Sequence, residues 1–143
     1  MFSFPADDYQ RQLIVASLDD FTPNAVLPNF LGGQFGPTPE NWRQEVIAFL
    51  CVNIECGLIE ATHRPEIAAH RDIQALRALL TEGDIDKNIP VEILWNVLYF
   101  NGTDKLKGII EAVNMRTWDA VSLAPNPSLI ANLSDLYKGY GRQ

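Results

Sequence analysis

Apolar residues recur at helical spacing along most of the chain and are densest between residues 38 and 57. In that stretch Trp42, Val46 and Phe49 follow the three- and four-residue spacing of one helix face. The run from Val46 to Val52 contains no charged side chain and widens that face around the helix. We therefore predict a helix at 38–57 that lies at the centre of the hydrophobic core.

The two ends of this predicted helix carry recognisable boundary signals. Thr38 is a good N-cap, because its hydroxyl can accept a hydrogen bond from a free backbone N–H of the first turn. Pro39 suits the first helical position, where its missing N–H costs nothing. Gly57 can adopt the left-handed conformation that ends many helices.

Further helices are predicted on both sides of this one. Leu58 to His63 is short and ambiguous, with another helical turn as one reading, and Met115 to Pro125 is compatible with a short extended piece. Five or six helices without an alternating strand pattern predict a single all-α domain, 1–143, around the helix at 38–57. The other predicted helices are Ala6 to Leu18, Pro65 to Thr81, Pro90 to Asn101, Asp104 to Asn114, and a last one that Asn126 and Pro127 open and Gly139 ends.

The connection from Asp19 to Pro37 is long, broken by three prolines and three glycines, and rich in apolar side chains. Exposure of these apolar side chains to water costs free energy. We therefore predict that the loop packs across the helix at 38–57 as an ordered cover. Asn53 falls on the apolar face of that helix. A buried amide without partners costs about 1–3 kcal/mol, so we expect Asn53 to hydrogen-bond the backbone of the cover.

The chain is acidic, with 18 Asp and Glu against 11 Lys and Arg and a formal net charge of −7. This charge argues against non-specific binding to nucleic acid and against attraction to an anionic membrane. It keeps a protein soluble, and it also suits a basic protein partner.

The N-terminal sequence and the cysteines bear on the compartment. MFSFPADD has no basic region followed by a long apolar region, so we expect no secretory signal, and the longest apolar run is too short to span a bilayer. Cys51 and Cys56 lie five residues apart on one predicted helix and point in different directions, so they cannot pair there. Two free thiols suit a reducing compartment, and we expect a cytoplasmic protein.

One stretch matches part of a calcium-binding loop. Asp84, Asp86 and Asn88 occupy its first three ligand positions, but Ile89 stands where glycine is needed and Trp95 where a bidentate glutamate is needed. We therefore predict no calcium site, and more generally no metal and no cofactor.

A second cluster contains both histidines of the chain, together with Glu60 and Glu66. Glu66 and His70 are four residues apart and can share a helix face, whereas His63 lies before a proline break. An exposed Glu–His pair is the commoner arrangement, so we predict no zinc site. These four residues would be the acid–base groups if the protein were a small helical enzyme or ligand carrier.

In size, acidity, helical pattern and lack of catalytic motifs, the chain is similar to small cytoplasmic immunity proteins that bacteria pair with contact-dependent or secreted toxins. The resemblance is one of class, and it assigns no functional residue. It implies a non-catalytic inhibitor that forms a tight complex with a basic toxin domain, often a nuclease, and blocks its active cleft.

The physical basis of such an inhibitor predicts its contact residues. A nuclease cleft is positively charged to hold phosphates, so a carboxylate-rich surface can compete for it, while aromatic side chains anchor the complex. The candidate contacts are Glu82, Asp84 and Asp86 in one acidic turn, Asp19 and Asp20 as a second patch, and Trp95 and Tyr99 as anchors.

The aromatic side of the helix at 90–101 leaves an alternative open. Either Trp95 and Tyr99 are buried, or their side of the helix meets a partner. If that face is self-complementary, the protein is a homodimeric regulatory or interaction module instead. The pattern does not decide between monomer and homodimer.

Overall fold

The structure is a computed structural model that describes residues 2–62 and 73–140. Within those ranges the chain is mostly helical, as predicted, and also contains a small antiparallel sheet that the pattern did not predict. The helices are α1 (Ala6–Leu18), α2 (Pro39–Glu55), α3 (Ile73–Glu82), α4 (Val91–Val97), α5 (Asp104–Ala112) and α6 (Pro127–Tyr137), the strands are β1 (Ile59–Thr62) and β2 (Tyr99–Gly102), and 3-10 turns occur at Pro23–Ala25, Phe30–Phe35 and Trp118–Ser122.

Helix α2 contributes a large part of the core. From Val46 to Ile54 every side chain except Ala48 is buried, so in this stretch the helix is enclosed around nearly its whole circumference. Its neighbours include the 3-10 segment Phe30–Phe35, α3 and β1. A helix with so little solvent-facing surface is stabilised by tertiary packing rather than by its own propensity.

The structure tests the capping residues that were predicted at the ends of the helices. Thr38 is the N-cap residue of α2 and Pro39 its first helical residue, as predicted, but the Thr38 side chain makes no capping hydrogen bond. Gly57 is left-handed with φ +75, and the N–H of Leu58 donates to the carbonyl of Asn53 at 2.8 Å. The predicted cap at Asn126 is confirmed, because its side chain accepts from a backbone N–H of α6.

The predicted helix Pro90 to Asn101 is wrong in its second half. Helix α4 ends at Val97, and the chain continues as β2, which pairs antiparallel with β1 from Ile59↔Gly102 to Thr62↔Tyr99. The ambiguous stretch Leu58 to His63, for which a helical turn is one reading, thus contains strand β1. Phe100 is fully buried on this sheet, and its backbone also pairs with Phe21 on the other side of β2.

The segment from Asp19 to Pro37 packs against α2, and Trp42 fixes it there. The indole N–H of Trp42 donates to the carbonyls of Val26 and Leu27, both at 3.0 Å. Leu27 is left-handed, with φ 51, and its N–H donates to the side-chain oxygen of the buried Gln12 at 3.0 Å. The cover is therefore held by hydrogen bonds between core side chains and the peptide groups on both sides of Leu27.

The prediction that Asn53 anchors this cover is wrong. Asn53 is fully buried; its amide donates to the Phe49 carbonyl at 2.8 Å, and its oxygen accepts from the Tyr137 hydroxyl at 2.7 Å. The side chain therefore joins α2 to α6, and the anchor of the cover is Trp42 instead.

The part of the predicted helix Pro65 to Thr81 before Ile73 lies outside the described residues. None of the helices in ranges 2–62 and 73–140 is both long and apolar enough to cross a bilayer.

We predict that Asn53→Leu lowers the free energy of unfolding by about 1–3 kcal/mol, because the Tyr137 hydroxyl loses its buried partner. Tyr137→Phe removes the same hydrogen bond from the other side and is the matched variant. Chemical denaturation of both single variants and of the double variant measures the coupling. Strictly additive losses would show that the two side chains do not depend on each other.

Candidate functional site

The acidic turn between α3 and α4 has a closely hydrogen-bonded backbone. Asp84 and Ile89 form an antiparallel bridge in which each N–H donates to the other carbonyl at 2.9 Å. Inside the bridge the N–H of Asn88 donates to the Ile85 carbonyl at 3.2 Å, and Asn88 is left-handed with φ 56. The N–H of Lys87 donates to the Asp84 carboxylate at 3.1 Å. These bonds fix the conformation of the turn.

Gly83 fixes how this turn leaves α3. Its φ is +88, and a Cβ added there would lie 2.7 Å from the Ile89 carbonyl oxygen and 2.9 Å from the Val91 nitrogen. A side chain at this position would therefore push two backbone segments apart. After the turn, the indole N–H of Trp95 on α4 donates to the Leu80 carbonyl at 2.9 Å and so ties α4 to α3.

A groove of about 410 Å³ lies between α3 and this turn. The helix side chains that line it follow one face at three- and four-residue spacing. In the turn, Ile85 is 75% exposed and lies between two aspartates. The groove therefore combines apolar surface with carboxylates, and its lining residues are Ala75, Ala78, Leu79, Glu82, Gly83, Asp84, Ile85 and Asp86.

The structure brings the three predicted carboxylates of the turn to this one groove, but they are not equivalent. Glu82 and Asp86 are exposed. Asp84 is only 7% exposed, and its carboxylate accepts the Lys87 N–H within the turn. Asp84 thus helps to build the turn, and its contact with a partner stays a prediction.

The two predicted aromatic anchors have different environments. Trp95 is 4% exposed, its ring centroid lies 5.6 Å from that of Trp42, and its N–H is bonded to Leu80. It is a core residue in this structure and cannot anchor a partner without unpacking. Tyr99, on β2, remains 44% exposed and available.

The second predicted acidic patch is part of a mixed-charge site. Asp19 and Asp20 are exposed after α1, and the small pocket that they line also contains Asn101, Lys107 and Arg116. The buried side-chain oxygen of Asn101 has no hydrogen-bond partner among the described residues. Two cationic side chains beside two carboxylates make this patch less suited to a basic partner than the turn.

The two thiols are not activated. Cys51 is fully buried, and burial raises its pKa from an ordinary value of 9.0 to about 11. Burial also raises the pKa of Cys56, whose thiol donates to the Leu136 carbonyl at 3.3 Å. Both are predominantly protonated at neutral pH, whereas nucleophilic cysteines have lowered pKa values.

The predicted acid–base cluster falls largely outside the described residues. Glu60 is exposed on β1, opposite Asn101, while His63, Glu66 and His70 lie in the range that the structure does not describe. Among residues 2–62 and 73–140, no three His, Cys, Asp or Glu side chains are grouped so that they could hold a metal ion.

No known protein family, no curated protein and no solved structure matches the chain.

Sequence reasoning missed the apolar part of the groove. Leu79 and the two alanines of α3 read as ordinary helix residues. Ile85 carried a usable signal, because it is an isolated large apolar residue in the polar segment Glu82 to Asn88. Single exposed apolar side chains are common on protein surfaces, so it is the groove beside Ile85 that distinguishes this one.

We predict that Cys51 in the folded protein is alkylated by iodoacetamide roughly 100-fold more slowly at pH 8 than in the urea-unfolded chain, from its thiolate fraction alone. Its rate should still rise about tenfold per pH unit above pH 8, since its pKa is about 11. Mass spectrometry of the alkylated peptides measures both cysteines, and Cys56 serves as the internal reference. Equal rates for folded and unfolded Cys51 would contradict the burial.

Proposed function

We propose that the protein is a non-catalytic binding protein that inhibits a basic protein partner, most concretely an immunity protein that neutralises a toxin domain. The groove between α3 and the acidic turn is the observation that carries this proposal. It presents Ile85 and Asp86 from a backbone that is held by the Asp84–Ile89 bridge, and Glu82 from the end of α3. Rigid display of an apolar residue beside carboxylates reduces the entropy lost on binding.

The charge of the chain supports the same proposal. A net charge of −7 speeds encounter with a positively charged partner, and local carboxylates fix the register of the complex. A nuclease cleft is the clearest example, since it is built to hold phosphate anions, and the exposed carboxylates of Glu82 and Asp86 can occupy the same positions.

We place the protein in the cytoplasm as part of this proposal. Cys51 and Cys56 are both free thiols, one of them fully buried. Thiols persist in reducing compartments, and an inhibitor located there meets a toxin that enters the cell or is made in it.

The proposal is tested by capture from native lysate with a tagged full-length chain, at low and at high salt. The captured proteins are identified by mass spectrometry, and the purified protein is then added to the partner to measure inhibition. We expect one basic partner at equal stoichiometry whose activity falls to zero at a 1:1 ratio. Recovery of the protein alone, or of a partner whose activity does not change, would overturn the proposal.

We predict that Glu82→Lys with Asp86→Lys slows association with this partner on the order of tenfold or more, because charge reversal removes local attraction. Asp19→Lys with Asp20→Lys makes the same change in net charge at a different pocket and is the matched control. Stopped-flow association rates at two salt concentrations compare the pairs. Equal slowing by both pairs would mean that only the total charge matters.

An exposed apolar face on α4 favours a second candidate function, a homodimeric interaction module. Ile93 and Val97 lie four residues apart on this helix, and both are about half exposed. Tyr99 follows on β2, also exposed, whereas Trp95 points into the core and is not part of this face. A self-complementary apolar face is what a two-fold dimer uses.

For this second candidate, we predict that the wild-type chain sediments with the mass of two chains and that Val97→Asp sediments with the mass of one. A carboxylate at the centre of an apolar interface is desolvated without a partner, which disfavours the dimer. Leu123→Asp, at an exposed apolar position outside the α4 face, is the control. A wild-type chain that sediments as a monomer at high concentration would remove this candidate.

A further inference from the structure

The shape of the groove limits what can occupy it. Its volume of about 410 Å³ lies toward the lower end of the roughly 300–1,000 Å³ that ligand sites span, so it accommodates a few side chains. Ala75, Ala78 and Leu79 line it from α3, and Ile85 lines it from the turn. Small alanine side chains leave room above the helix, while Leu79 and Ile85 supply apolar surface for one inserted side chain.

On the α3 side, the charge beside this apolar surface is negative. Glu82 is the last residue of α3, and this helix has no basic residue in its last turn. The partial negative charge of a helix C-terminus favours cations and adds to the effect of the carboxylate. Asp86 contributes a second exposed carboxylate across the groove. Lys87 belongs to the same turn but is not among the lining residues.

We propose that the groove binds a short extended segment in which one apolar side chain is flanked by lysine or arginine. The apolar side chain packs between Leu79 and Ile85, and the flanking cations pair with Glu82 and Asp86. This inference rests on the proposed function, because it names the element of the basic partner that the inhibitor recognises. The partner's chemistry follows from charge complementarity with the rim and from the apolar character of the walls.

The carboxylates divide into two roles within this site. Asp84 accepts the Lys87 N–H and is buried, so it sets the turn and contributes little to the rim. Ile85 and Asp86 are the two residues that the turn presents to solvent next to the groove. Substitutions at these two positions remove surface groups without removing core contacts, which makes the site testable without loss of the fold.

The test uses the ¹⁵N-labelled full-length chain and the synthetic peptide acetyl-Gly-Lys-Leu-Lys-Gly-amide at low salt. We expect saturable changes in ¹H–¹⁵N correlation spectra at the amides of residues 75–86. A peptide with serine in place of leucine should bind at least roughly threefold more weakly, since it loses the buried side chain. A peptide with glutamate in place of both lysines should not bind.

Paired variants locate the binding on the protein. Glu82→Gln with Asp86→Asn should weaken the peptide roughly 3- to 10-fold, as expected for two exposed ion pairs. Asp19→Asn with Asp20→Asn makes the same change in net charge and should leave the affinity within about twofold. Ile85→Ser should weaken the leucine peptide and leave the serine peptide unchanged.

The outcomes separate this inference from the proposed function. No saturable change at residues 75–86, or equal weakening by both carboxylate pairs, would overturn the groove as the binding site. If a basic partner is captured and inhibited at 1:1 but Glu82→Gln with Asp86→Asn leaves its affinity unchanged, the function stands and the groove inference fails. If the peptide binds as expected but no basic partner is captured, the groove inference stands and the proposed function fails.

Discussion

The packing of Trp42 against Trp95 connects the parts of the molecule that build the groove. Their ring centroids lie 5.6 Å apart in the core, and each indole N–H is used to hold a different segment. Trp42 donates to the carbonyls of Val26 and Leu27 and so fixes the cover on α2. Trp95 donates to the Leu80 carbonyl and so fixes α4 beside α3. The turn that joins α3 to α4 is therefore held from the core side as well as by its own bonds.

The features that the sequence predicted well are those decided by neighbouring residues. Helix α1 has the predicted bounds Ala6–Leu18, and its spacing of apolar residues is local information. The Asn126 cap followed by proline, and the left-handed glycine at Gly57, are likewise determined within one helical turn. The acidic turn was located correctly for the same reason, because Gly83 and the polar residues around it interrupt the helical pattern.

The features that the sequence pattern did not predict depend on residues far apart in the chain. The segment after Val97 is a strand because β1, near residue 60, and Phe21 offer pairing partners for it, and no local pattern carries that information. Asn53 was correctly read as buried, but its partner Tyr137 belongs to α6. The burial of Trp95 follows in the same way from its contact with Trp42.

The acidic turn shows that carboxylates close together in sequence can have very different environments. Composition alone makes Asp84 and Asp86 equivalent, yet the first is buried and bonded to the turn backbone while the second is exposed. The exposed side chain of Ile85 between them makes no hydrogen bond, although the Ile85 carbonyl accepts one from the N–H of Asn88 within the turn. The proposed function accounts for this arrangement, because a basic, partly apolar ligand would pack on the apolar side chain and pair with the exposed carboxylates.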